Sequence, residues 1–275
     1  AADVLGLRWE NVTFKLGDSA WPLAPIQGGS YTAASVGSAV LQTCQKLAQK
    51  LFKLAQKGKD SPFAAVKWED VSFADGKIQL TQHPAQSISF VELMRQQKVN
   101  TIQQKSTGLP NLLKQRKYTR QTHSAVFAEV KVDADFGTVR VTRIVNAIAG
   151  GRILNPKTAR SQILGATVWG ISKALEEEAV IDHRFGRIVN HSLAEYHIPV
   201  CADVCAIDVI FVEEHDDIVN PLGAKGLGEI GIVAVPAAIA NAVFHATGKR
   251  IDELPITLDK VMAAMDGFSD NEIEL

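Results

Sequence analysis

Apolar and polar positions recur along this chain with periods that assign most of it to short elements. Residues 11–16, NVTFKL, alternate and predict a strand ended by Gly17-Asp18. A loop rich in proline and glycine follows, SAWPLAPIQGGSYTAAS. From about residue 34 to 56, Val36, Val40, Leu41, Leu47, Leu51 and Leu54 return at helical spacing, with lysines mostly on the other faces. That pattern predicts a long amphipathic helix, stopped by GKDSP. Residues 66–82 read as two strands around Asp75-Gly76, a tight-turn dipeptide, and 89–99 as a short helix.

After a polar, irregular stretch at 100–117 the pattern resumes. SAVFAEVKVDADFGTVRVTRIVNAI predicts a hairpin with β-branched residues on either side of Asp135-Phe136-Gly137. Asn155-Pro156 introduces a helix over 157–178, and strands are expected at 188–198 and 206–213. A last long helix spans about 232–246, with Pro236 in its first turn and Gly248 beyond its end. Frequent hairpins among helices point to an α+β fold, mixed sheets with packed helices, rather than a doubly wound sheet. The polar stretch marks the boundary between two α+β lobes, 1–110 and 111–275.

Composition narrows the function classes. The 275 residues are 46% hydrophobic and 21% charged, with a net charge of −1, so no electrostatic case exists for nucleic acid or an anionic membrane as partner. No apolar run was expected to reach the ~20 residues that cross a bilayer. Three cysteines (Cys44, Cys201 and Cys205) are too few, and odd in number, for a disulfide scaffold. Residue 1 is alanine and the first methionine is Met94, an arrangement expected of the later part of a larger polypeptide.

Several motifs fail on inspection. Asp133-Ala134-Asp135-Phe136-Gly137 resembles the start of a calcium loop, but the twelfth position falls on Ile144, where a bidentate glutamate is needed. Cys201 and Cys205 lack a second cysteine pair and read as reduced, partly buried thiols, and no HxxxH pair occurs. Gly226-Leu227-Gly228-Glu229-Ile230-Gly231 has the literal form GxGxxG. A dinucleotide fingerprint, however, needs a strand running straight into the first glycine, and here the polar HDDIVNPLGAK intervenes. A carboxylate inside the turn would also repel a pyrophosphate. The glycines therefore serve Glu229. Gly223, Gly226, Gly228 and Gly231 allow sharp, left-handed bends and keep side chains away from the acid. With Ile230, Ile232 and Val233 following, the carboxyl is expected to be partly desolvated, which makes it a better proton acceptor. From the pattern alone, general base and N-terminal helix cap stand equal.

NPLGAKGLGEIGIVAVPAAIANAV resembles the last block of the molybdenum-binding subunit of the xanthine oxidase and aldehyde oxidoreductase family, the molybdenum hydroxylases. GDSAWPLAPIQGGSYTAASVGSAV resembles that family's pterin-binding stretch. FAEVKVDADFGTVRVTRIVNAIAGGRILNPKTARSQILGATVWGISKALEEE resembles its hairpin and glutamine-bearing helix. The blocks occur in the family's order and the resemblance covers essentially the whole chain. LAEYHIPVCADV and GKRIDELPIT are closest in character to the bacterial aldehyde-oxidising branch.

The resemblance implies a role for each matching residue. Glu229 is the general base that activates a water-derived oxygen nucleophile against an aldehyde or N-heterocycle carbon. Gly28, Gly29, Ser30, Tyr31 and Thr32 hold the pterin and phosphate of molybdopterin, with backbone amides and hydroxyls as donors. Gln162 contacts the cofactor through its amide, although Ser161 and Trp169 depart from the commonest family residues. Lys225, with Gly226 and Gly228, borders the cofactor; the lysine either sets the electrostatics of the turn or is a solvated surface charge. No residue ligates molybdenum directly, because the pterin dithiolene holds it.

The implied partners are the remainder of the molybdenum subunit and iron–sulfur ([2Fe-2S]) and FAD domains or subunits that carry electrons away. The pterin carries or lacks an added cytosine nucleotide, and cytoplasm and periplasm both stay open. The chain by itself is expected to be inactive. The competing hypothesis is a non-catalytic scaffold or interaction module derived from the same subunit.

Overall fold

A computed structural model describes residues 1–57, 61–107, 113, 116–204 and 206–266. The helix-stopping Gly58, Lys59 and Asp60, the expected lobe boundary at 110/111 and Cys205 lie outside the described residues. The chain divides into two compact units, residues 1–119 with 217–223 and residues 120–216 with 224–275. It therefore returns to the first unit for seven residues before completing the second.

The first unit contains helices α1 (Ala2–Leu5), α2 (Thr32–Ala55) and α3 (Phe90–Gln96), and an antiparallel sheet of β1 (Val71–Ala74), β2 (Lys77–Leu80) and β3 (Ser87–Ser89) in that order. Asp75 at φ 50° and Gly76 at φ 68° make the turn between β1 and β2, as their dipeptide predicts. The Ser89 hydroxyl caps α3 by accepting from the Glu92 amide at 3.1 Å. The C-terminal half of α2 supplies Cys44, Ala48, Leu51, Phe52 and Ala55 to a core shared with Phe63, Ile78 and Leu93. The N-terminal half packs on the returning segment instead. A Cβ at Gly37 would lie 2.7 Å from the Leu222 side chain, and the Ser38 hydroxyl donates to Asn220 Oδ1 at 3.3 Å.

One expectation fails in this unit. Residues 12–16 are irregular, with Phe14 and Leu16 exposed, because among the described residues the segment has no neighbouring strand to complete a ladder.

The second unit is built on β4 (His123–Val132), β5 (Val139–Ala149) and β8 (Ala206–Phe211), ordered β4-β5-β8. β4 and β5 form the expected hairpin, and β5 and β8 run parallel, joined by a crossover containing α4 (Pro156–Leu175) and the two-residue strands β6 (Ile181–Asp182) and β7 (Arg187–Ile188). The Asp133 carboxylate accepts from the amides of Asp135 and Phe136 at 2.9 and 3.1 Å, so the acid of the calcium-like sequence shapes a turn. Asn155 accepts from the Lys157 and Thr158 amides at 3.1 and 3.2 Å, and Pro156 opens α4, as the dipeptide predicts. Of the strand expected at 188–198 only its first residue is in a strand; Leu193, Ile198 and Val200 are exposed in irregular backbone. Beyond Val189, whose amide still donates to the Val180 carbonyl, the apolar residues there satisfy a local pattern with no strand alongside among the described residues.

Helices α5 (Ile230–Val233), α6 (Val235–Thr247) and α7 (Leu258–Asp266) complete the unit. The single helix expected at 232–246 is thus broken at Ala234, ahead of Pro236, and ends on Gly248 at φ 72°. Residues 230–247 have a mean hydropathy of 1.7 over 18 residues, which corrects the expectation that no stretch nears membrane length. Only 22% of that stretch is buried, so core packing accounts for part of its apolar composition. Val235, Ile239 and Val243 are buried with Val141, Ile144 and Ile171 in the core of this unit. Cys201 is exposed, not partly buried as expected.

Candidate functional site

The expected site residues fall in both units. In the first unit Gly28-Gly29-Ser30-Tyr31-Thr32 leads into the 24-residue α2. Gly29 and Ser30 take φ 54° and 58° in succession. The left-handed region costs a non-glycine residue roughly 1–2 kcal/mol, so the backbone at Ser30 is strained. The Tyr31 amide donates to the Gly28 carbonyl at 3.4 Å, and the Tyr31 carbonyl accepts from both the amide and the hydroxyl of Ser35. Tyr31 gives α2 no side-chain cap. Open space surrounds the position a Cβ would take at Gly28. The first amides of a long helix lack intrahelical acceptors. Ser30 and Thr32 are half-buried, while Gly28, Gly29 and Tyr31 are exposed.

In the second unit α4 and α5 meet where neither has a bulky side chain. A Cβ at Gly231 would lie 2.8 Å from the Ala166 Cβ and 3.3 Å from the Ile163 Cα and carbonyl oxygen. Gly231 is therefore a packing glycine, and the expectation that it clears room for the acid is corrected. Of the four glycines around Glu229 only Gly223 adopts the expected left-handed bend, at φ 70°; Gly226, Gly228 and Gly231 do not. Gly226 and Gly228 are half-buried, and the Gly226 carbonyl accepts from the Thr122 hydroxyl at 3.3 Å. Gln162 precedes Ile163 and Glu229 lies two residues before Gly231, so both flank the α4–α5 contact, and both side chains are exposed.

Glu229 differs from both halves of its reading. It occupies the N-cap position of α5 yet makes no side-chain capping bond, so the cap role is not the one it performs. Nor is it partly desolvated by this chain: it is exposed, as is Val233, one of the residues expected to cover it. The side chains of Ile230 and Ile232 are only half-buried. Local apolar sequence lowers hydration only where tertiary packing folds it over the acid, and among the described residues nothing does.

Lys225 is no solvated surface charge. Its side chain is 7% exposed, and its ammonium lies 2.5 Å from Glu214 Oε1 and 3.2 Å from Asp216 Oδ2. Burial lowers its pKa, but the hydrogen bonds to Glu214 and Asp216 outweigh that effect and hold it above the ordinary lysine range. Glu214 Oε2 also accepts from the Gly151 amide at 2.8 Å, and the Lys225 amide donates to the Gly150 carbonyl at 3.0 Å. A bridge between Gly151 and Ala224 closes the arrangement. The end of the β5 hairpin and the start of the Glu229 turn are thereby clamped together.

Sequence reasoning missed a second anchor. Asn146, on β5 in the row of Ile144 and Ile148, is fully buried, and its amide nitrogen donates to Thr167 Oγ1 at 3.1 Å and to the Gly231 carbonyl at 2.9 Å. Thr167 in turn donates to the Ile163 carbonyl at 2.8 Å. A polar residue in an inward row of isoleucines was the available signal. Glu214 and Asp216 carried none, since an acidic loop ordinarily reads as solvated.

The sequence profile of the molybdopterin cofactor-binding domain matches residues 1–205. The chain is similar to the aldehyde oxidoreductase molybdenum-binding subunit PaoC of Escherichia coli strain K12, at 40% identity over 262 residues, covering 95% of this chain and 34% of that protein. It is also similar to the putative xanthine dehydrogenase molybdenum-binding subunit XdhA of the same strain, at 40% over 131 residues, 48% of this chain and 17% of that protein. Its fold is shared with quinoline 2-oxidoreductase from Pseudomonas putida 86, with a TM-score of 0.72 at 22% identity over 96% of this chain and 34% of that one. The chain thus spans about a third of the length of the curated relative it matches over most of its residues.

Proposed function

From the premise that the chain belongs to the molybdopterin cofactor-binding domain family, we propose that it is the later, cofactor-binding portion of a molybdenum-dependent oxidoreductase that oxidises aldehydes or hydroxylates N-heterocycles. The observation that carries the proposal is the 40% identity, over 95% of this chain, to an aldehyde oxidoreductase molybdenum-binding subunit; to it Glu229 adds a candidate group. Its carboxylate is exposed and makes no cap, on a backbone anchored before it through Lys225 and after it through Gly231. Its role as the base follows from the family resemblance and not from desolvation by this chain.

The residues present fit the cofactor. In the first unit the successive left-handed residues Gly29 and Ser30, the open space at Gly28 and the uncapped start of α2 suit a phosphate. In the second, the exposed amide of Gln162 offers both a donor and an acceptor to a heterocycle. When bound, molybdopterin with its molybdenum supplies a two-electron acceptor for the substrate. This chain's residues contribute by holding groups in place. Glu229 takes a proton at its carboxylate from the water-derived nucleophile, Gly226 and Gly228 keep the backbone beside it slender, and Lys225 holds the turn through Glu214 and Asp216. Iron–sulfur and FAD partners would carry the electrons onward, and the chain alone would not turn over.

The test uses the complete subunit with its partners. Glu229→Gln is expected to retain molybdenum and pterin at wild-type levels while aldehyde oxidation falls by about 10²–10⁴, the range for loss of a general base. Wild-type turnover in that variant would refute the assignment.

A further inference from the structure

We propose that Asn146 is a positioning residue that holds the Glu229 turn against the Gln162 helix. The proposal rests on the function argued above and adds a residue to it. Asn146 lies in the middle strand of the mixed sheet, opposite Val126 of β4 and Val209 of β8. Its row on that strand is otherwise apolar, with Ile144 and Ile148 fully buried on either side. A buried amide is costly unless it is engaged, and among the described residues Asn146 Oδ1 is buried without a partner, so the two N–H bonds alone offset that cost; leucine, branched at the same carbon though larger, would suit the apolar row without it.

The two N–H bonds go where the local backbone can be steered. One reaches the carbonyl of Gly231, two residues after Glu229. The other reaches Thr167, whose hydroxyl is bonded to the carbonyl of Ile163, one residue after Gln162. A single side chain therefore sets the depth of both segments on the sheet. α5 is only four residues long and cannot fix its own position through internal hydrogen bonds. Gly231 has no side chain to interlock with, so its carbonyl is the handle by which the turn is held. Removing the tether frees the turn to shift relative to α4, and a displacement near 1 Å can cost about a hundredfold in rate.

Asn146→Leu in the complete, cofactor-loaded subunit tests this by two readouts. Amide hydrogen exchange over residues 226–233 is expected to quicken about tenfold or more, with the β4–β5 hairpin unchanged. Turnover per bound molybdenum is expected to fall by about ten- to a hundredfold, with KM within twofold. Unchanged exchange at 226–233 overturns the proposal, and so does faster exchange with unaltered turnover per molybdenum, which would make the tether merely structural. Asn146→Asp, nearly isosteric, serves one acceptor when protonated and neither when ionised, so it also loses the tether and stands in for Asn146→Leu if that variant fails to fold; wild-type values in it also overturn the proposal. Full activity in Glu229→Gln would remove the base assignment and not the tether, which exchange reads separately.

Discussion

Replacing Lys225 by methionine should cost the second unit about 3 kcal/mol. The substitution keeps much of the aliphatic stem and deletes the ammonium that sits between Glu214 and Asp216 at 2.5 and 3.2 Å. Breaking a buried pair from one side costs roughly 3–5 kcal/mol, because the surviving charge is stranded. The lower end applies here, since the carboxylate side chains retain 26% and 21% exposure and water can partly solvate them. For a domain of this size each kcal/mol moves the midpoint by about 2–4 °C, so thermal unfolding followed by circular dichroism should show a fall of about 6–12 °C. The double variant Lys225→Met, Glu214→Gln should recover part of the loss. It removes one stranded charge and leaves an amide oxygen to accept from Gly151. A Lys225→Met midpoint within 1 °C of wild type, or a double variant worse than the sum of its singles, would refute the clamp.

The same ammonium carries a pH signature. Its pKa in the folded protein is raised, so its contribution is complete below the ordinary lysine value near 10.4 and is lost as pH climbs through the folded value; wild type and Lys225→Met should converge in stability only in that alkaline range. Glu176 behaves oppositely. Burial, then Asp203, raises its carboxyl pKa at the C-terminus of α4, so Glu176→Gln should stabilise by a few tenths of a kcal/mol at neutral pH, a gain that fades as the solution is acidified toward its pKa, read by denaturant titration. Gly231→Ala drives a methyl to 2.8 Å from Ala166 and should cost about 1–3 kcal/mol in the same titration. Glu229→Gln, at an exposed position with no cap bond, should stay within about 0.5 kcal/mol of wild type.

Much of the architecture was legible because it is local. Asp75-Gly76 makes a tight turn whatever surrounds it, Asn155-Pro156 starts a helix with its own side chain, and Asp133 closes the β4–β5 hairpin through amides two and three residues on. The long period of α2 and the alternation of β4 needed only neighbours in the chain. Segments 12–16 and 188–198 misled for the converse reason. Alternation predicts a strand, but a strand exists only where another edge supplies hydrogen-bond partners.

The chain by itself determined its family and the kinds of groups its site offers: an acid set among glycines, an amide on a helix, and a small-residue loop before another helix. What surrounds those groups was decided by tertiary structure. Burial and pairing are sums over residues distant in sequence, so Lys225 became a buried clamp only when Glu214 and Asp216 folded onto it, and Glu229 stayed in water because its apolar neighbours turn elsewhere. Asn146 meets Gly231 across 85 residues, and no local period encodes that meeting.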